Sequence, residues 1–293
     1  MARFGEVLTA MVTPFADDLS VDVDGAVTLA RWLVDHGNDG LVVAGTTGES
    51  PTLTDDEQIE LGRAVAEAVT VPVVLGAGSN DTRHGIALTK RVKDTGAAGV
   101  LLVTPYYNRP SQAGIDAHFR ALAEATDLPV MLYDIAFRTG RAIATDTLLR
   151  LAREVPNIVA VKDASGDIPQ AADRVAKAPS GFELYSGEDV VNLPLLSVGA
   201  VGVVGVATHW AGRETKEMVT AFKKGDVDQA RQINARLIDS WSFESGDLNP
   251  NPIPTKAMLR TMGLPAGQTR PPMGPCPDGL EDRAREVLKA LRG

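Results

Sequence analysis

Eight short, almost uninterrupted apolar runs recur along the 293 residues, each followed by a longer amphipathic stretch, and this alternation restricts the fold more than any other feature. The runs are Val7 to Thr13, Gly40 to Ala44, Val71 to Gly76, Gly99 to Thr104, Pro129 to Asp134, Ile158 to Asp163, Phe182 to Ser186 and Ala200 to Ala207. They read as strands covered on both faces, the condition of a parallel sheet joined by crossover helices. The stretches between them carry helix starts, such as the capping box Thr54-Asp-Asp-Glu57 and Asp81, and stops at Gly37, Gly96, Pro156 and Gly225. Eight such units predict an α/β protein, a closed (β/α)8 TIM barrel, with an open doubly wound sheet as the structural rival.

Past the eighth helix the chain reads as helical again over Val227 to Trp241, Thr255 to Met262 and Leu280 to Leu291. The joints Asn249-Pro-Asn-Pro-Ile-Pro254 and Arg270-Pro-Pro272 break helices but are too short to act as flexible linkers. Residues 1–225 are therefore expected to form the catalytic barrel and residues 226–293 a C-terminal helical appendage packed on it.

The stretch Val190 to Gly212 carries no Lys or Arg and is nearly all apolar, which admits a membrane span. Asn192, Pro194 and the glycines at 199, 202 and 205 fit a helix followed by a buried strand better. A net charge of -9 and a pI near 5.0 argue against nucleic-acid or anionic-membrane partners, which need a basic face. The single cysteine, Cys276, cannot form an intramolecular disulfide and fits a reducing compartment. With no signal-peptide pattern at the N-terminus, a cytoplasmic location is expected. Four scattered histidines, His36, His84, His118 and His209, suggest no metal cluster.

In a barrel the chemistry lies at the C-terminal ends of the strands. Of nine lysines, eight fall on or near polar helix faces, Lys256 among them, where a solvated role is the default; only Lys162 lies within a strand. Alternation in Ile158-Val-Ala-Val-Lys162 puts Ile158, Ala160 and Lys162 on one face. A lysine at a dry barrel mouth is pushed toward the neutral amine, the form that attacks a ketone to give a Schiff base. The alternative is a strand-end lysine that snorkels to solvent or pairs with Asp163. All four tyrosines, Tyr106, Tyr107, Tyr133 and Tyr185, lie in or just after strands. Buried phenols can relay protons, although aromatic residues also simply fill barrel mouths. After the second strand, Gly45-Thr-Thr-Gly-Glu-Ser50 offers amides and hydroxyls to a carboxylate and lacks the Gly-Lys-Ser/Thr of a P-loop. Arg138, just past the fifth strand, can hold a carboxylate bidentately or be an ordinary surface arginine.

Gly45-Thr-Thr-Gly-Glu-Ser50, Val103-Thr-Pro-Tyr-Tyr-Asn-Arg-Pro-Ser111 and Val161-Lys-Asp-Ala-Ser-Gly166, in that order and each at a strand end, closely resemble the dihydrodipicolinate synthase family. This family belongs to the pyruvate-dependent class I aldolases, which include N-acetylneuraminate lyase. The similarity runs from Val7-Leu-Thr-Ala-Met-Val-Thr-Pro14 through Asn251-Pro-Ile-Pro-Thr-Lys256.

The resemblance implies that pyruvate, bound as a Schiff base on Lys162, condenses with L-aspartate 4-semialdehyde in the diaminopimelate route to lysine, with no metal or organic cofactor. It further implies that Tyr133, Thr46 and Tyr107 relay protons, Tyr107 reaching in from a neighbouring subunit of a homotetramer built as a dimer of dimers. Thr47 and adjacent amides would hold the pyruvate carboxylate, Arg138 the carboxylate of the second substrate, and Gly187 and Val204 would line the pocket with backbone. These groups would make a locally positive pocket on an acidic protein.

Some positions depart from the family's pattern: Ala136 replaces the usual Pro, Phe137 a small residue, and His209 a common Asn. Lysine-inhibited members carry two histidines and a glutamate where this chain has Asp55, Gln58 and His84, although Ser50, Asn80 and Tyr106 are kept. Weak or absent lysine feedback is expected. The competing functions are a sugar-acid lyase of the same superfamily, disfavoured by Arg138 and the double threonine, and a catalytically silent keto-acid-binding barrel.

Overall fold

The computed structural model describes residues 2–246 and 248–293. The eight apolar runs contain β1 (Val7–Ala10), β2 (Gly40–Val43), β3 (Val73–Gly76), β4 (Gly99–Val103), β5 (Val130–Asp134), β6 (Ile158–Asp163), β7 (Glu183–Ser186) and β8 (Gly202–Gly205). Every strand is parallel to its neighbours and β8 returns to β1, so the sheet is a closed barrel and the open doubly wound alternative is excluded. The apolar stretch from residue 190 resolves into helix Asn192–Ser197, β8 and the start of helix Thr208–Lys223. No helix of the described residues is long and apolar enough to cross a membrane.

The pleat sorts side chains into two layers. Leu8, Val42, Val74, Leu101, Met131, Ala160 and Val204 fill the barrel with Phe4. Leu41, Leu75, Leu102, Leu132 and Val161 face outward onto helix residues such as Leu29, Leu33, Val65, Leu122 and Leu148. Each fully buried aliphatic side chain contributes roughly 1.5–3 kcal/mol. Gly99 opens β4 where a β-carbon would sit 2.7 Å from Cε1 of Phe4, so glycine there lets the ring enter the barrel.

One expected face assignment fails. Val130 pairs with Ile158 but Met131 pairs with Ala160, so Val159 is an extra residue in β6. This bulge turns Ile158 into the outer layer, while Ala160 stays inside and Lys162 reaches the barrel mouth.

The C-terminal segment forms helices Val227–Glu244, Ile253–Thr261 and Leu280–Arg292. Their apolar faces share one cluster with the helix after β8, through Trp210, Met218, Ile233, Trp241, Met258 and Leu288. The proline-rich joint before Ile253 carries the chain back across the barrel mouth, placing Asn251 in the pocket wall.

Candidate active site

A pocket of about 260 Å³ opens at the C-terminal ends of β5, β6 and β7. Lys162 and Tyr133 meet in it. They are register partners on β6 and β5, and Nζ of Lys162 lies 4.4 Å from the centre of the Tyr133 ring. Both are buried. Burial pushes the lysine down to about 8, against the opposing pull of Asp189 and Glu188, so roughly a tenth of the amine is neutral at pH 7, far more than for an exposed lysine. Burial likewise pushes the phenol up to about 12, so Tyr133 stays a proton donor, although Arg138 and a hydrogen bond from Thr46 work the other way. Gly187 makes the lysine's space: a β-carbon there would lie 2.7 Å from Cγ and 3.0 Å from Cε of Lys162.

Thr46 and Thr47 line the same pocket from the loop after β2. The loop is flanked by two non-glycine residues in the left-handed region, Ala44 (φ 51°) and Glu49 (φ 57°). Such conformations persist where the surroundings over-determine them. Here the Thr13 hydroxyl donates to the Gly48 carbonyl (2.6 Å), and Asn251 Nδ2 donates to Oγ1 of Thr47 (2.9 Å). The Glu49 carboxylate accepts the Arg270 amide (2.9 Å) and pairs with Lys256 at 2.7 Å.

Arg138 lines the pocket on a single helical turn, Ala136–Thr139, directly after β5. Its neighbour Phe137 also lines the rim, yet the side chain is 87% exposed, with the guanidinium 5.8 Å from the ring centre. Two other expected residues lie elsewhere. Tyr107 does not enter its own chain's pocket; it is 90% exposed, at φ 71°. Val204 is buried in the inner barrel layer, and Val206 lines the pocket instead.

The sequence reading missed the acidic side of the pocket, formed by Glu188, Asp189 and Glu244. Oε2 of Glu244 and Oδ2 of Asp189 both accept the Ala207 amide, at 2.9 and 3.0 Å. Burial and the adjacent Asp189 push the Glu244 carboxyl well above the usual carboxylate range, which favours its neutral form. Glu188 and Asp189 directly follow Gly187, a signal that asking what ends β7 could have found. Glu244 and Asn251 come from the C-terminal segment, and no local pattern points them at the barrel.

Three further residues receive a physical role. His209 is fully buried and held neutral by burial, at about 4. Its Nε2 accepts the Val12 amide (3.1 Å) and its Nδ1 donates to the Val206 carbonyl (2.7 Å), tying the end of β1 to the loop after β8. Lys256, expected on a solvated helix face, is instead buried against Glu49. Tyr185 is a structural link: its hydroxyl donates to Glu183 (2.9 Å) and accepts the Phe4 amide (3.2 Å).

A sequence profile of the Dihydrodipicolinate synthetase family matches residues 3–291. The 4-hydroxy-tetrahydrodipicolinate synthase of Acidothermus cellulolyticus is 52% identical over 293 residues, covering 99% of this chain and 93% of the relative. The 4-hydroxy-tetrahydrodipicolinate synthase 2 of Streptomyces coelicolor is 51% identical over 290 residues, covering 98% and 93%. Among solved structures, that of the enzyme from Cyanidioschyzon merolae with lysine bound superposes with a TM-score of 0.96 at 44% identity, covering 100% of this chain and 99% of the other. Dihydrodipicolinate synthase DapA-2 from Bacillus anthracis gives 0.94 at 42% identity, with 99% of each chain covered.

Proposed function

Because the chain belongs to the dihydrodipicolinate synthetase family, we propose that its pocket joins pyruvate, held as an imine on Lys162, to L-aspartate 4-semialdehyde, the 4-hydroxy-tetrahydrodipicolinate synthase reaction. The enzyme is a carbon–carbon bond-forming catalyst of the class I aldolase type. The observation that carries the assignment of roles is the buried Lys162 amine beside the buried Tyr133 phenol.

The neutral Lys162 amine attacks the pyruvate ketone, and water leaves as the imine forms. Departure of that water takes a proton from the Tyr133, Thr46 and Tyr107 relay, and the relay takes one back from the methyl next to the electron-withdrawing iminium, giving an enamine. The enamine carbon attacks the aldehyde carbon of the second substrate, and the resulting alkoxide takes a proton from Tyr133. The product's own amine then adds to the imine carbon and displaces Lys162, closing the ring and freeing the enzyme. Thr46 restores the Tyr133 proton, completing a relay to which Tyr107 of a neighbouring subunit contributes. The exposure of Tyr107 supports that contribution, since the side chain is free to reach another chain.

Thr47 and the loop amides seat the pyruvate carboxylate, Gly187 leaves room for the lysine, and Arg138 meets the carboxylate of the semialdehyde at the rim. Val204 contributes from the inner layer beneath the pocket. In this reading residues 1–225 are the catalytic barrel, and residues 226–293 are an appendage that completes its wall. The working form is a homotetramer of two tight dimers in the cytoplasm.

The test is pyruvate consumption that depends on added aspartate semialdehyde. Condensation supports the synthase. Pyruvate binding without condensation favours the sugar-acid lyase.

A further inference from the structure

The Thr47 hydroxyl has one proton to place, and its hydrogen-bond partners decide where it points. Its oxygen accepts Asn251 Nδ2 at 2.9 Å. The Asn251 carboxamide is itself held, because its Oδ1 accepts the Thr255 hydroxyl at 3.0 Å. Thr255 is fully buried on helix Ile253–Thr261 and does not line the pocket. A flipped carboxamide would turn its oxygen toward Thr47 and capture that proton, and the Thr255 hydroxyl would lose its acceptor in a dry interior.

The geometry points to a directed hydrogen-bond relay, Thr255 to Asn251 to Thr47, through which the C-terminal helix presents the Thr47 hydroxyl proton to the carboxylate of the keto acid. Thr255 and Asn251 are positioning residues: each acts on the substrate carboxylate through Thr47. A second contact from the same helix braces the same loop, since Lys256, the next residue after Thr255, holds Glu49 at 2.7 Å. The left-handed Ala44 and Glu49 show that this loop needs such external support. The inference rests on the reading of the Thr46-Thr47 loop as the keto-acid carboxylate seat.

Thr255→Val keeps the shape of the side chain and removes the donor that orients Asn251. It is expected to raise the KM for pyruvate about three- to tenfold, the effect of weakening one hydrogen bond to a charged group, while kcat falls less than about twofold. Thr255→Ser restores the hydroxyl and returns the pyruvate KM toward the wild-type value. Asn251→Asp presents only acceptors and a negative charge to Thr47, and raises that KM more than Thr255→Val does. A Thr255→Val enzyme with the wild-type pyruvate KM, or a Thr255→Ser enzyme that shows no rescue, overturns the relay. If Thr255→Val fails to fold by circular dichroism, Asn251→Asp decides, and an unchanged pyruvate KM there overturns it. Wild-type protein without condensation overturns the reading of the site and the relay with it. Wild-type condensation with an indifferent Thr255→Val overturns the relay alone.

Discussion

Tyr133 and Lys162 stand opposite each other across a parallel strand pair, the amine nitrogen 4.4 Å from the centre of the phenol ring. Backbone hydrogen bonds of β5 and β6 fix their separation, so the amine and the phenol are held by the barrel's strands rather than by loops.

Burial lowers the Lys162 pKa from 10.5 to about 8. Imine formation needs the neutral amine, so kcat/KM for pyruvate should fall about tenfold per pH unit well below pH 8 and level off above it. Stability runs with the same sign. Between about 8 and 10.5 the unfolded lysine holds a proton that the folded one has lost, so folding stability rises with pH through that window. Below it the buried amine costs the fold on the order of 3 kcal/mol. Lys162→Met should therefore unfold at a higher temperature than the wild type at neutral pH; a lower midpoint contradicts this.

Arg174 supports the pair from outside the barrel. It lies on helix Ile168–Lys177 and bridges Asp134 (2.7 Å) and Asp163 (2.6 Å), the residues that directly follow Tyr133 and Lys162. All three are buried. Arg174→Met would leave two adjacent carboxylates without a cation, and denaturant unfolding should report a loss of about 3–5 kcal/mol. A loss below about 1 kcal/mol would show that the clamp is dispensable.

Lys256 and Glu49 make a second buried pair, at 2.7 Å, at the end of the Thr46-Thr47 loop. The ammonium lies 4.1 Å from the centre of the Phe15 ring and donates to the Gln268 carbonyl (2.9 Å). Lys256→Met should cost about 3–5 kcal/mol, because it strands the Glu49 charge, and adding Glu49→Gln should recover much of that loss. Additive single and double variants in a denaturant cycle would contradict the coupling.

Lysine feedback should be weak or absent. Asp55 is already engaged, with Oδ1 2.8 Å from Nε2 of His84, whose Nδ1 in turn lies 3.2 Å from the Ser79 hydroxyl. Gln58 donates to the Ser50 carbonyl (3.2 Å). An incoming ammonium would have to compete with His84 for the carboxylate. Steady-state rates should stay unaffected by millimolar lysine; half-maximal inhibition at sub-millimolar lysine would overturn this expectation.

Much of this was legible in the sequence, for physical reasons. Eight apolar runs announced the barrel, because strands buried on both faces leave no polar alternation, and Lys162 stood out as the one lysine such a run contains. The β6 bulge was not legible: an extra residue is set by pairing with β5, and Ile158-Val-Ala-Val alternates equally well without it. The burial of Lys256 is not legible, because helical periodicity gives a face but not what covers it, and Glu49 lies 207 residues earlier in the chain. Glu244 and Asn251 reach the pocket only through the packing of the C-terminal helices on the barrel. Contacts of that sequence separation leave no local pattern.

Lys162 is proposed to carry pyruvate as an imine. Incubating the protein with pyruvate and borohydride, then mapping the added mass by peptide mass spectrometry, tests it most directly. The expected result is one reduced pyruvate adduct per chain, on Lys162, and none in Lys162→Met. An adduct on another lysine, or no adduct, would contradict the assignment.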